Sequence, residues 1–272
     1  MERPLDPERA AWHAERLENL RKADGWLTLV GLDFLEDGEY PAGSGADARL
    51  RYANCDQPLC GTFAVAGERV TYRAHGDSQS IELTADDVGA PSVVRSGSVS
   101  LTLVRRNGQL ALRVRDSLSS VRTEFAGIAL FPFEPALVVD ARVREPEADA
   151  TISITNVTGF VEEQALAAEL EFELAGMTHR FVATAGSAGR LFVVFADASN
   201  GAETCATGRF LDVPAPVGGW TSIDFNRAVN PPCSFTAFAT CPLPPQANRL
   251  PIRVLAGERR HSFAGAPDHS AP

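Results

Sequence analysis

Two arginines close together in the sequence have the chemistry to bind an anion. Arg113 and Arg115 lie in "LRVRD", where the alternation of a β-strand puts both guanidinium groups on one face. Leu112 and Val114 then lie on the opposite face. Neighbouring cations repel each other unless an anion lies between them, and arginine binds carboxylate or phosphate through two parallel hydrogen bonds. We therefore predict that both arginines bind a ligand together with Asp116, or else pair with carboxylates of the protein.

A second group of polar residues lies near the C-terminus in "DFNRAVNPPC". Prolines restrict the backbone there, so the side chains beside them are fixed with little further loss of entropy. We predict that Asn226, Arg227 and Asn230 bind a ligand and that Asp224 is a catalytic acid or base. The alternative is that these side chains satisfy the amides and carbonyls of a loop that covers the core.

Further candidates follow the apolar segment "LFVVFAD" in "DASNGAETCATGRFLD". Loops that follow strands often carry functional groups, so Glu203 is a candidate catalytic acid or base and Arg209 a candidate ligand-binding residue. Asp197 could form a two-carboxylate hydrolytic pair with Asp224 or with Glu203. The alternative is a turn with an exposed acid and a paired arginine.

The chain contains five cysteines, an odd number that argues against a disulfide scaffold. Cys233 is a candidate catalytic nucleophile because nearby arginines could lower its pKa. A thiol nucleophile also needs a base, for which His75 and His179 are the candidates. Cys233 and Cys241 are spaced too widely for a zinc knuckle, so no metal site is predicted. A buried, unreactive thiol is the alternative for both cysteines.

The sequence lacks three motifs that are typical of cofactor-binding proteins and of hydrolases. There is no phosphate-binding glycine loop, no dinucleotide-binding glycine pattern and no G-x-S-x-G elbow. We therefore predict no cofactor and leave open whether the protein is an enzyme.

The formal net charge of −10 makes nucleic acid and anionic membrane surfaces unfavourable partners. No apolar run is long enough to span a bilayer, and the charged N-terminus lacks the apolar core of a signal peptide. We expect a cytoplasmic protein that binds a small anionic or polar molecule, although a mature chain that had lost its leader would look the same. The oligomeric state is not predicted.

The elements that hold these residues are predicted to be mostly strands. Helix-start and helix-stop signals predict an N-terminal helix within residues 1–25. Asn107-Gly108, between two alternating apolar arms, predicts a tight hairpin over residues 98–116. Many further short apolar runs, among them "LPIRVLAG", predict a mainly β protein with antiparallel β-sandwich or barrel-like sheets and an N-terminal α-helix.

After the helix, we predict three regions along the chain. Residues 26–95 form a small β-sandwich-like region, residues 96–260 the main β domain with its Pro-rich C-terminal loop, and residues 261–272 a disordered tail. The segment "LEDGEYPAGSGADARLRY" is faintly similar to the opening strands of a forkhead-associated sandwich. That fold reads phosphothreonine through an arginine after the glycine, whereas Ser44 follows Gly43 here, so the similarity implies shape and not phosphopeptide binding.

Four segments together resemble a known family. They are "DGWLTLVGLDFLEDGEYPAGS", "LRVRDSLSSVRTEFAGI", "GRFLDV" and "DFNRAVNPPCSFTAFATCPLPPQANRLPIRVLAGE". They resemble the bacterial domain-of-unknown-function family 1684 (DUF1684), and the resemblance extends over nearly the whole chain. The family has no established activity, so the resemblance implies membership and no particular reaction. It usually has a tyrosine where this chain has Cys205.

Two hypotheses of function follow. In the first, the protein binds a small anionic or polar metabolite in a pocket lined by Arg, Asp and Asn, with hydrolysis of that metabolite left open. In the second, it is a non-catalytic structural or interaction module whose polar cluster is a buried clasp joining the two halves of the fold. The hypotheses differ in whether the side chains line an open concavity or close on each other.

Overall fold

A computed structural model describes residues 7–261 and divides the chain into two compact units. One unit is Glu18–Phe125, called here the sandwich. The other combines residues 7–17 with residues 126–261 and is called the half-barrel. The predicted mainly β architecture, with antiparallel sheets and an N-terminal helix, is confirmed. The single parallel pairing among the named strands is the two-residue contact of Ala42 and Gly43 with Leu50 and Arg51.

Within the predicted helical region, the helix α1 is Pro7–Arg21. Residues 1–6 lie outside the described residues, as does the predicted tail apart from His261. The backbone N–H of Gly25 donates to the carbonyl of Lys22 and ends this segment. Within residues 7–261, no helix is both long and apolar enough to cross a membrane.

Two sheets make up the sandwich. Its elements are β1 (Leu29–Phe34), β2 (Gly38–Gly43), β3 (Leu50–Arg51), β4 (Gly61–Ala66), β5 (Arg69–Ala74), β6 (Ile81–Glu82), β7 (Val93–Ser96), β8 (Val99–Arg106), β9 (Gln109–Asp116) and the short helix α2 (Ser120–Thr123). One sheet has the order β1-β9-β8-β7 and the other β3-β2-β4-β5-β6. Tyr40 and Phe63 from one sheet share a hydrophobic cluster with Leu101 and Leu112 from the other, so the apolar faces of the two sheets form one core.

The predicted Asn-Gly hairpin joins β8 to β9. Asn107 and Gly108 have φ angles of 53° and 74°, which suit the tight turn that closes the pairing of Arg106 with Gln109. The two strands also pair with β1 and β7 on either side. The sandwich unit therefore extends to Phe125, past the boundary predicted near residue 95.

The half-barrel contains one curled six-stranded sheet and a two-stranded ribbon. Its strands are β10 (Val138–Arg144), β11 (Thr151–Thr155), β12 (Val161–Ala165), β13 (Ala168–Leu174), β14 (Met177–Ala185), β15 (Leu191–Phe195), β16 (Arg209–Val213) and β17 (Trp220–Asp224). The sheet has the order β16-β15-β14-β13-β10-β17, and β11 pairs with β12 in the ribbon. Short 3₁₀ turns, rather than strands, follow β17 along the chain.

Four phenylalanine rings form the centre of the half-barrel core. The ring centroid of Phe181 lies 4.9 Å from that of Phe172, 5.9 Å from Phe195 and 6.2 Å from Phe225. All four side chains are at most 2% exposed. Because aromatic rings bury large areas and prefer such edge-on and tilted contacts, this group holds the curled sheet around one centre.

One buried asparagine bridges the backbones of β14 and β15. The side-chain oxygen of Asn248 accepts from the N–H of Val182 at 2.7 Å. Its amide donates to the carbonyls of Val182 and Val194 at 2.9 and 2.8 Å. This side chain therefore supplies hydrogen bonds where the two strands diverge and no longer pair with each other.

The strand predicted for "LPIRVLAG" is wrong. The segment forms no strand: Leu250 and Ile252 bond to the backbones of Ala196 and Ala198, and the last residues bond to side chains. The carbonyls of Val254 and Ala256 accept from the guanidinium of Arg209, and the N–H of Val254 donates to Asp197. Alternating apolar residues are therefore found in this segment, where buried and exposed residues also alternate, although it is not a strand.

We expect Phe181→Ala to destabilise the protein by about 3–5 kcal/mol, because it removes the ring that contacts the other three and leaves a cavity. Urea unfolding followed by circular dichroism measures the change. The matched control is Phe238→Ala, since Phe238 is 42% exposed. A control that lost as much stability as Phe181→Ala would contradict the assigned core.

Candidate functional site

Arg113 and Arg115 lie on β9 and share one face of the sheet, as the alternation predicted. Leu112 and Val114 point into the core on the opposite face and are 0% exposed, whereas both arginines are half-buried. The strand thus fixes two guanidinium groups side by side on a surface where burial makes an unpaired charge unfavourable.

Neither of these arginines has a carboxylate partner. Within residues 7–261, the side chains of Arg113 and Arg115 form no hydrogen bond and no ion pair. The guanidinium carbon of Arg113 lies 6.0 Å from the centroid of the Trp26 ring. Nε of Arg115 is enclosed and has no hydrogen-bond partner among the described residues. A buried donor without a partner is rare in native proteins and points to a group that completes it.

The electrostatic environment disfavours the positive charge of this pair. Burial lowers the pKa of Arg113 to about 10, and repulsion by Arg106 and Arg115 adds to the effect of burial. Burial also lowers the pKa of Arg115, although Asp24 acts in the opposite direction. A bound anion would relieve both effects at once.

Asp86 attracts Arg113 but is already engaged elsewhere. Its two oxygens accept from Nη1 and Nη2 of Arg106 at 3.1 and 2.6 Å, and the backbone N–H of Arg105 donates to one of them at 2.9 Å. This bidentate pair neutralises Arg106. Asp86 thus attracts Arg113 and Asp24 attracts Arg115, but no carboxylate of the sandwich forms an ion pair with either arginine.

Asp116, a predicted ligand-binding residue, lies on the core side of β9. It is 8% exposed, and it accepts from the Ser98 hydroxyl at 2.6 Å, the Leu118 N–H at 2.9 Å and the Asn54 amide at 2.6 Å. Burial alone would raise the pKa of Asp116, but these hydrogen bonds outweigh it and lower the pKa. The same alternation that puts the two arginines together thus directs Asp116 away from them.

Arg209 is buried with Asp197 in the half-barrel. Both side chains are 0% exposed, and Nη2 of Arg209 lies 2.5 Å from Oδ2 of Asp197. The guanidinium also donates to the carbonyls of Val254 at 2.8 Å and Ala256 at 2.5 Å. Burial lowers the pKa of Arg209, and the carboxylate opposes that shift. Protein groups hold this arginine on several sides, which is the arrangement expected of a clasp.

Asn230 belongs to a second buried network, centred on Glu258. The Glu258 side chain is 0% exposed and accepts from Nε of Arg16 at 3.0 Å and from the N–H of Asn230 at 2.6 Å. The side-chain amide of Asn230 donates to the carbonyl of Arg259 at 2.8 Å. Its side-chain oxygen has no partner among the described residues. Asn230 thus ties helix α1 to the last described segment of the half-barrel.

The three remaining polar residues of the "DFNR" segment stabilise a turn. Asp224 accepts from the backbone N–H and the side-chain amide of Asn226 at 2.9 and 3.0 Å. Asn226 also bonds to both the N–H and the carbonyl of Glu134. Arg227 pairs with Glu8 and lies 3.4 Å from Asp224. The structure therefore brings these residues together, but around backbone groups of the protein.

The other two predicted catalytic residues are also engaged. Glu203 pairs with Arg253 at the surface. The Cys233 thiol interacts with Cys205, Cys241 and the Thr207 hydroxyl. The bond to Cys205 lowers the pKa of Cys233, but the bond to Cys241 and burial outweigh it and raise the pKa to about 12. This thiol is protonated at neutral pH and therefore a poor nucleophile.

The predicted residues thus fall into two sets. Three belong to the sandwich: Arg113, Arg115 and Asp116. Seven belong to the half-barrel: Glu203, Arg209, Asp224, Asn226, Arg227, Asn230 and Cys233. Sequence reasoning missed Trp26 and Glu258. The only signal for Trp26 was its position at the start of an apolar segment. No sequence signal indicated Glu258, because an acidic residue after Ala-Gly is expected to be an exposed turn residue.

Comparison with known proteins gives a family and no activity. The sequence profile of DUF1684, a protein family of unknown function, matches residues 123–259. No curated protein matches the chain. Among solved structures, the chain is similar to an uncharacterized protein of Haloarcula marismortui determined by solution NMR. The two sequences are 29% identical, with a TM-score of 0.43, over 51% of this chain and 78% of the other.

We expect Asp197→Asn to destabilise the half-barrel by about 3–5 kcal/mol, because Arg209 would keep its charge without a buried counter-ion. The matched control is Asp212→Asn, which removes the partner of Arg190 in a pair whose side chains are 35% and 56% exposed. The control should change stability by less than about 1 kcal/mol in urea unfolding. Equal effects of the two substitutions would show that the buried pair contributes no more than an exposed one.

The lowered pKa of Asp116 predicts a pH-dependent contribution to stability. A carboxylate whose pKa is lower in the folded than in the unfolded state stabilises the protein above its unfolded pKa and loses that effect as the pH falls through the folded value. Asp116→Asn should therefore lower the Tm at pH 7 more than at pH 3. The exposed Asp77→Asn is the control. A Tm difference independent of pH would contradict this assignment.

Proposed function

Because the chain belongs to the DUF1684 family, whose function is unknown, its activity has to be inferred from its own side chains, and we propose that it binds a small molecule bearing a carboxylate or phosphate group at Arg113 and Arg115. The observation that supports this proposal is that two adjacent, half-buried guanidinium groups have no counter-ion within residues 7–261. A structural role would pair them, as it pairs Arg106 with Asp86. An oxyanion is the ligand that such a pair recognises.

The strand geometry supports an anion shared by both arginines. Residues two apart on one strand face are about 6.6 Å apart, so one oxyanion can accept from both guanidinium forks. Ser100 and Thr102 are the cross-strand neighbours of Arg115 and Arg113 and bring two hydroxyl groups to the same face. The Trp26 ring beside Arg113 adds an apolar wall for the remainder of the ligand.

Binding, rather than hydrolysis, is the activity we propose. The candidate acids Asp224 and Glu203 are paired with protein cations, and the Cys233 thiol is held protonated. All three belong to the half-barrel, whereas the two arginines belong to the sandwich. A general acid or base has to reach the reacting group, which these residues do not do in their present contacts.

For the half-barrel we propose a polar clasp without a catalytic role, whose bonds to Ala256, Glu134 and Arg259 lie within this unit. This is narrower than the second hypothesis, which expected a clasp joining the two halves of the fold. Arg209, Asn226 and Asn230 are all 0% exposed, and each bonds to backbone groups of other segments. Side chains that are enclosed and engaged in this way stabilise loops rather than receive a ligand.

We expect inorganic phosphate or acetate to raise the Tm of the protein and Arg113→Gln or Arg115→Gln to abolish that shift. Each lost charge-assisted contact corresponds to about 1.5–3 kcal/mol, or a roughly 10- to 150-fold weaker affinity. Differential scanning fluorimetry at constant ionic strength gives the shift, and titration calorimetry gives the Kd. Arg73→Gln, which removes an exposed arginine of the same unit, should behave like the wild type.

The stability of the ligand-free variants separates a binding site from a structural pair. Because the arginines repel each other and lack partners, Arg115→Met should leave the Tm unchanged or raise it. If Arg115→Met unfolds the protein, or if all variants keep the phosphate and acetate shifts, the proposed site is wrong.

A further inference from the structure

Three cysteines that are distant in the sequence meet in the loops of the half-barrel. Cys205 lies between β15 and β16, Cys233 lies in the 3₁₀ turn Pro232–Ser234, and Cys241 follows in the same Pro-rich segment. All three are free thiols and at most 8% exposed. We call these three residues the thiol row.

Cys233 is the central member of the thiol row. Its thiol interacts with the thiol of Cys205 on one side and with that of Cys241 on the other. Its backbone N–H also donates to Sγ of Cys241 at 3.2 Å. Cys233 therefore interacts with both of the other cysteines, and the interaction of Cys205 within the thiol row is with Cys233.

Two hydroxyl groups line the thiol row. Oγ1 of Thr207 lies 3.2 Å from Sγ of Cys205 and 3.3 Å from Sγ of Cys233. The Ser234 hydroxyl donates to Sγ of Cys205 at 3.0 Å. A hydroxyl that donates at this distance, as that of Ser234 does, stabilises the negative charge that a sulfur carries when it reacts.

We propose that the thiol row is an oxidation site at which hydrogen peroxide converts Cys233 and one neighbouring cysteine into a disulfide. In the first step a thiol loses its proton, the thiolate attacks one peroxide oxygen, and the O–O bond breaks to give a sulfenic acid and hydroxide, which takes up the released proton to form water. In the second step the neighbouring thiol attacks the sulfenic sulfur, the S–S bond forms, and a second water leaves. Two thiols and one peroxide thus give one disulfide and two waters.

We expect the thiol row to be oxidised slowly at neutral pH. The hydrogen bond to Cys233, followed by burial, raises the pKa of Cys205, and the pKa of Cys233 is also raised. Because the thiolate is the reactive form, the oxidation rate should rise about tenfold for each pH unit below the pKa. A site with this property responds to sustained rather than brief oxidant exposure.

The test counts free thiols before and after peroxide. Cys55 and Cys60 also contact each other, so both are first replaced by serine, which leaves three of the five cysteines. Hydrogen peroxide should reduce the thiols titrated after denaturation from three to one, and peptide mapping should find Cys233 in the disulfide. The reaction should be about tenfold faster at pH 8 than at pH 7.

The matched variants are Cys233→Ser and Cys205→Ser in the same background. Cys233→Ser should keep both of its thiols after peroxide, whereas Cys205→Ser should lose both in a Cys233–Cys241 disulfide. Three thiols that survive peroxide in the folded background protein, or a Cys205–Cys241 disulfide in Cys233→Ser, would overturn the proposal. If the background protein does not fold, peptide mapping of the unsubstituted chain decides, because a disulfide containing Cys233 supports the proposal and its absence refutes it.

Discussion

The buried ion pair of Arg209 and Asp197 is the constraint on which the rest of the half-barrel depends. A fully enclosed guanidinium has to place its donors on fixed acceptors, since an unpaired charge in the interior is strongly destabilising. Arg209 does so by holding the carbonyls of Val254 and Ala256 together with the carboxylate. The segment that contains these carbonyls leads directly to Glu258, which in turn fixes Asn230. One buried charge thereby orders a chain segment that forms no strand.

In the sandwich, burial of arginine side chains has the opposite result, because the two guanidinium groups lack partners. Arg113 and Arg115 are also partly removed from water, but no carboxylate of the sandwich neutralises them. Two adjacent cations of this kind do not stabilise the fold, so the presence of both arginines agrees with a role outside folding. Nη1 and Nη2 of Arg209 have acceptors from the protein, although its Nε has none among the described residues. The side chains of Arg113 and Arg115 form no such bonds within that part of the chain, and this contrast supports a clasp for the first and a binding site for the other two.

Much of the fold could be predicted from local sequence patterns, whereas much of the candidate site could not. The Asn107-Gly108 turn and the alternation of β9 are local properties, and they located the hairpin and the two arginines. The strand β12 (Val161–Ala165) is difficult to predict from sequence, because its adjacent glutamates hide the period of two. The segment "LPIRVLAG" resembles a strand, but its first half bonds to the backbones of Ala196 and Ala198 and its second half to side chains distant in the sequence. Periodicity reports burial and direction, but it does not report which group completes a hydrogen bond.

The Pro-rich C-terminal segment closes the half-barrel where strands cannot. The six-stranded sheet ends at β16 and β17, and an open edge exposes backbone groups that need partners. Val229 pairs with Phe210 at the edge of β16, but proline has no N–H, so Pro231 and Pro232 cannot extend that ladder. Side chains then supply the hydrogen bonds that a further strand would have made, and the stiff backbone keeps them in register. For the same reason the segment concentrates its polar and thiol groups beside its prolines: a chain that closes a sheet without forming a strand needs both a restricted backbone and side chains that can bond.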